Sequence, residues 1–139
     1  MVLLNKGKNL SSAQNLEQLW KEAVNNISRY SEQDIAERFQ QAMDKVFRSI
    51  QLSEDEENKY IGWCIEQTGR RVDAIVGAKH RQSYYKAANL LVALAEVLAN
   101  RGMKSNGTDL IERYRQKYRR HSAFRQELNV TASRSSIFA

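Results

Sequence analysis

Arg113, Lys117 and Arg120 recur at i, i+4 and i+7, which places three cations on one side of a helix. Arg115 and Arg119 lie on another side, with Tyr114 and Tyr118 between them. A second basic group, Lys79, His80, Arg81 and Lys86, crowds one helix junction a few turns after Arg70 and Arg71. Cations spaced in this way suit a polyanion, because each neutralised phosphate releases counterions and interleaved tyrosines can stack on bases. The same pattern also describes a solvated helix face with its tyrosines in the core, offset by Asp109 to Arg113 and Glu112 to Arg115 pairs. Lys79, Arg81, Arg113, Lys117 and Arg120 are the candidate contact residues. The partner they suit is an acidic protein surface or another copy of the chain, with nucleic acid as the alternative.

Other chemistries lack their residues. Cys64, His80 and His121 are the only soft or imidazole side chains, whereas a zinc site needs four ligands, or three and a water. Cys64 lies on an apolar stripe, which predicts a buried, inert thiol in place of a nucleophile. The run Glu54, Asp55, Glu56, Glu57 suits the positive end of a helix dipole better than a metal, whose ligands must converge from several directions. Carboxylates paired for acid/base work need an apolar pocket, and nearly all the acids here fall on predicted exposed faces or caps. The six glycines are scattered singly with no strand before them, so no phosphate-cradling loop is formed. These absences predict a chain that is not an enzyme and holds no cofactor, metal or small-molecule substrate.

The elements that must position the cations are helical throughout. Ser11 with Gln14 reads as a capping box before Leu16, Leu19, Trp20, Ala23, Val24 and Ile27, a helix ending near Tyr30. Ser31 caps the next, with the stripe Ile35, Phe39, Ala42, Val46 and Ile50, widened by Ala36, Met43 and Phe47. Ser53 with Glu56 is the clearest capping box, and from Tyr60 the helical register runs through Gly69, as one helix or two, to a stop at Gly77. A helix from Gln82 or Ser83 to Asn100 is apolar nearly all round, which marks the centre of the core, with Gly102 at its end. Met103 to Thr108 reads as a turn, with Asn106 and Gly107 at positive φ, followed by a helix capped by Thr108 or Asp109 and running to Arg120. A last helix after His121 and Ser122 carries Phe124 and Leu128.

This predicts an all-α fold of six or seven short helices in antiparallel hairpins, an irregular tetratricopeptide-like array. The expected organisation is a flexible N-terminus over residues 1–10, one helical domain over 11–129 and a disordered tail over 130–139. With 139 residues, 42% hydrophobic and 27% charged, the chain has the profile of one soluble domain. Its net charge of +6 is unevenly spread: residues 1–69 hold eight Lys/Arg against eleven Asp/Glu, and residues 70–139 hold fourteen against five. Basicity therefore belongs to the C-terminal half, and steers negative charge toward it. The longest apolar run, Ala87 to Ala95, is interrupted by Asn89 and falls well short of the roughly 20 residues of a membrane span. The apolar run Val2 to Leu4 is too short for a signal-peptide core, and one cysteine fits a reducing compartment, so a cytoplasmic location is expected.

Three stretches also read as a family likeness. Arg70 to Val76 (RRVDAIV), Ser83 to Val97 (SYYKAANLLVALAEV) and Arg113 to Leu128 (RYRQKYRRHSAFRQEL) resemble the C-terminal helical tail of bacterial SWIM-type zinc-finger proteins. The resemblance covers Arg70 to Leu128 and implies a tetratricopeptide-like helical module with an adaptor role. The SWIM signature itself needs three cysteines and a histidine, and Cys64 is the only cysteine here, so the resemblance carries over neither zinc nor any functional residue.

Overall fold

The computed structural model describes residues 1–5, 10–28 and 34–139, without the side chains of Ser28 and Asp34. Among these residues the chain is all-α: α1 (Gln14–Ser28), α2 (Asp34–Ser49), α3 (Glu54–Gly77), α4 (Tyr84–Asn100), α5 (Lys104–Lys117) and α6 (Ser122–Ser133), with short 3-10 turns at Val2–Leu4, Leu10–Ser12 and Arg81–Ser83. Ser31, expected to cap α2, and Tyr30, the expected end of α1, lie outside the described residues.

Helix α4 is the axis, as its all-round apolar sequence requires. Leu91, Val92, Leu94 and Val97 have no exposed surface, and α1, α3, α5 and α6 all pack on it. Burying such a side chain contributes roughly 1.5–3 kcal/mol, so α4 holds much of what stabilises the fold. Helix α3 runs unbroken through Gly69, where a Cβ would stand 2.7 Å from the Tyr114 hydroxyl of α5. The glycine thus lets two helices meet. At the start of α3 the capping box is formed in full: the Ser53 hydroxyl accepts from the Glu56 amide at 3.2 Å, and the Glu56 carboxylate accepts from the Ser53 amide at 3.0 Å.

Several boundaries differ from those read in the sequence. Helix α5 starts at Lys104, so Asn106 and Gly107 are helical and not a turn. The reason is close packing: a Cβ on Gly107 would lie 2.7 Å from the Ala95 carbonyl oxygen of α4, an approach only glycine permits. The same helix ends at Lys117, not Arg120. The left-handed position closing α3 falls on Lys79, at φ 59°, two residues past Gly77, while Gly102 takes φ 82° after α4 as expected. Residues 130–139, expected to be disordered, continue α6 to Ser133, bury Thr131, Ala132 and Ser135, and set Phe138 against the core. Tethers hold that end in place, since Gln14 accepts from the Ser136 amide at 3.1 Å. At the N-terminus, expected to be flexible over 1–10, Leu4 and Asn5 are buried.

A buried carboxylate serves the first amides of α1, which begins at Gln14, three residues past Ser11. Ala13 supplies the carbonyl for the first helical bond and has no side-chain oxygen to offer the next amides. Glu96, fully buried on α4, accepts from the amides of Asn15 (3.1 Å) and Leu16 (3.2 Å) and from the Asn15 side chain (2.9 Å). Its oxygens thus serve amides at the start of α1 that have no partner within the helix. Nearby, Arg101 donates to the Leu4 carbonyl at 3.2 Å and pairs with Glu57 of α3, so the end of α4 ties down the N-terminus.

Candidate interaction site

The end of α3, the entry to α4 and the turn between α5 and α6 meet at one surface cleft of about 420 Å³. Lys79, Arg81, Tyr84, Arg120, His121 and the first residues of α6 line it. Three of the five predicted contact residues are therefore brought together by segments far apart in sequence. Lys79, Arg81 and Arg120 are exposed, and none has a carboxylate partner among the described residues. His121 packs edge-on against the Tyr118 ring, centroids 5.2 Å apart, and its Nδ1 is buried without a hydrogen-bond partner among the described residues. No side chain caps the first turn of α6, so that helix presents its positive end at the rim.

The other two predicted residues are placed differently. Lys117 is engaged by Asp73 of α3 at 2.7 Å and lies over the Tyr114 and Tyr118 rings. It is thereby paired on the surface and not turned toward the cleft. Tyr118 donates its hydroxyl proton to the same carboxylate. Burial pushes the Asp73 carboxyl upward, but hydrogen bonds from Lys117 and Tyr118 and the lysine charge outweigh it and hold the group below its ordinary 3.8. Burial, followed by the hydrogen bond to Asp73, drives the Tyr118 hydroxyl upward, and burial likewise raises Tyr114. Both tyrosines are buried, so neither offers a face for stacking on bases. Arg113 is exposed, has no carboxylate partner among the described residues, and does not line the cleft.

A second surface of interest is apolar and was not nominated by residue chemistry. Every described side chain of α2 keeps solvent exposure; Ile35 and Val46 are 42% and 44% exposed, and Ile50, the residue after the helix, is 39% exposed. Trp20 of α1 meets Phe39 and Phe47 at centroid distances of 6.3 and 5.8 Å, which covers one flank of the stripe only. The amphipathic spacing was legible; that the row stays exposed among the described residues was not.

Cys64 is buried on α3, in keeping with its place on the apolar stripe. Among the described residues no group of three or more His, Cys, Asp and Glu side chains is placed to hold a metal ion, and no helix is long and apolar enough to cross a membrane. Comparison with known proteins finds no matching family model, no similar curated protein and no similar solved structure.

Proposed function

We propose that the chain is a non-enzymatic helical interaction module that associates with a second copy of itself through α2. The observation carrying this reading is the exposed row of Ile35 and Val46, continued by Ile50 just past the helix end, on a helix that buries none of its described residues. Apolar side chains at helical spacing are ordinarily buried against another element, and a contiguous exposed row marks an interface. The row is also self-complementary. In an antiparallel pair related by a twofold axis, Ile35 faces Ile50, and the small Ala42 falls near the crossing, where the backbones approach most closely. The acidic-partner and nucleic-acid readings rest on the basic C-terminal half, where Lys117 is paired with Asp73 at 2.7 Å.

The test is sedimentation equilibrium over micromolar to millimolar protein, with Ile35→Ser/Val46→Ser beside the wild type. Concentration-dependent dimerisation that the double variant abolishes supports the reading. A wild type that stays monomeric throughout the range overturns it.

A further inference from the structure

We propose that the cleft between Lys79–Arg81 and the start of α6 binds the phosphoryl group of a phosphomonoester. Lys79 and Arg81 approach from the link between α3 and α4, and Arg120 from the link between α5 and α6. No acidic side chain lines the cleft, so the three cations around it give the site one sign of charge, which a dianion seated among them would complement. Guanidinium groups suit this role because their planar donors pair with two phosphoryl oxygens at once. Ser122 and Ala123, in the uncapped first turn of α6, line the same cleft, so backbone amides and the helix dipole add donors there.

The backbone at Lys79 supplies an independent argument. Lys79 follows the C-cap of α3 in the left-handed region, and the His80 amide closes back on the Ile75 carbonyl at 3.0 Å, the arrangement usually completed by glycine. It is the only non-glycine residue with positive φ among the described residues. A lysine there sacrifices backbone stability for a side chain that lines the cleft.

Size and distribution favour a single phosphoryl group over a nucleic-acid backbone. About 420 Å³ lies within the range of small-ligand sites, whereas a nucleic-acid strand needs cations continued along a track. Lys117, which would extend one, is bound to Asp73, and the adjacent tyrosines are buried.

The experiment is isothermal titration of the full chain, at constant ionic strength, with inorganic phosphate, glycerol 3-phosphate, a phosphoserine peptide, and an oligonucleotide lacking terminal phosphates. Saturable binding of phosphate or a phosphomonoester, weakened at least tenfold by Arg120→Gln, is the expected result. Whether glycerol 3-phosphate or the phosphopeptide binds more tightly identifies the source of the group. Lys79→Gly supplies a variant that cannot fail through misfolding: it raises Tm, because glycine suits the left-handed position, and it weakens phosphate binding. Heats no larger than those of matched chloride, binding that survives both substitutions, or tighter binding of the oligonucleotide than of either phosphomonoester would each overturn the proposal. The result does not depend on α2, since Ile35→Ser/Val46→Ser leaves the cleft unchanged.

Discussion

Two helical glycines show how one residue type answers to different surroundings. A Cβ at Gly62 of α3 meets nothing within 4 Å, so Gly62→Ala is expected to stabilise the protein by about 0.5–1 kcal/mol, through helix propensity and a less disordered unfolded chain. At Gly107 the same change drives a methyl group to 2.7 Å from the Ala95 carbonyl oxygen, a backbone atom that has no free end to swing aside. Gly107→Ala is expected to cost about 1–3 kcal/mol, net of any propensity gain. Urea denaturation of both variants beside the wild type measures the two signs. The sequence alone made Gly107 a turn residue because Asn-Gly is a strong local turn signal; the contact that recruits it into a helix comes from Ala95 on another element and leaves no local trace.

Among the elements, α1 and α4 are coupled by Glu96, and α3 and α5 by Asp73. Glu96→Ala leaves the amides of Asn15 and Leu16 without their acceptor in a buried setting, with an expected loss of about 3 kcal/mol, readable as a fall in thermal and urea stability. The Asp73 clamp has a pH signature. Its folded pKa lies below 3.8, so its contribution is present above that pH and is lost as the pH falls through the lower folded value. The stability lead of the wild type over Asp73→Asn should therefore hold at neutral pH and shrink below about pH 3.8. At the alkaline end the sign reverses. Tyr118 is raised above the ordinary 10.0, so its protonated form stabilises the fold below pH 10 and that contribution is lost as the pH rises beyond it. Tyr118→Phe should remove part of the alkaline loss measured in denaturant melts. Asp73 and Lys117 each looked like ordinary surface charge in the sequence, because an ion pair between two helices has no fixed spacing to betray it.

Considered as a whole, the molecule divides into a core wrapped around α4 and an α2 that packs on α1, where Trp20 meets Phe39 and Phe47. Local opening costs little where few side chains are buried, so amide exchange in α2 is expected to be far faster than in α4 at low protein concentration. Raising the concentration should slow α2 selectively, as dimerisation covers Ile35, Val46 and Ile50. Exchange of α2 that ignores protein concentration would count against the dimer. What the sequence determined by itself is whatever local spacing encodes: the helical class, the Ser53 and Glu56 cap, the burial of Cys64, and α4 as the central helix through its all-round apolar surface. Tertiary structure decided the rest. It gathered Lys79, Arg81 and Arg120 into one cleft, withdrew Lys117 to Asp73, sent Glu96 to cap α1, and left the α2 row uncovered. The physical reason is that periodicity states which face of a helix is apolar or charged, whereas what meets that face depends on packing between segments distant along the chain.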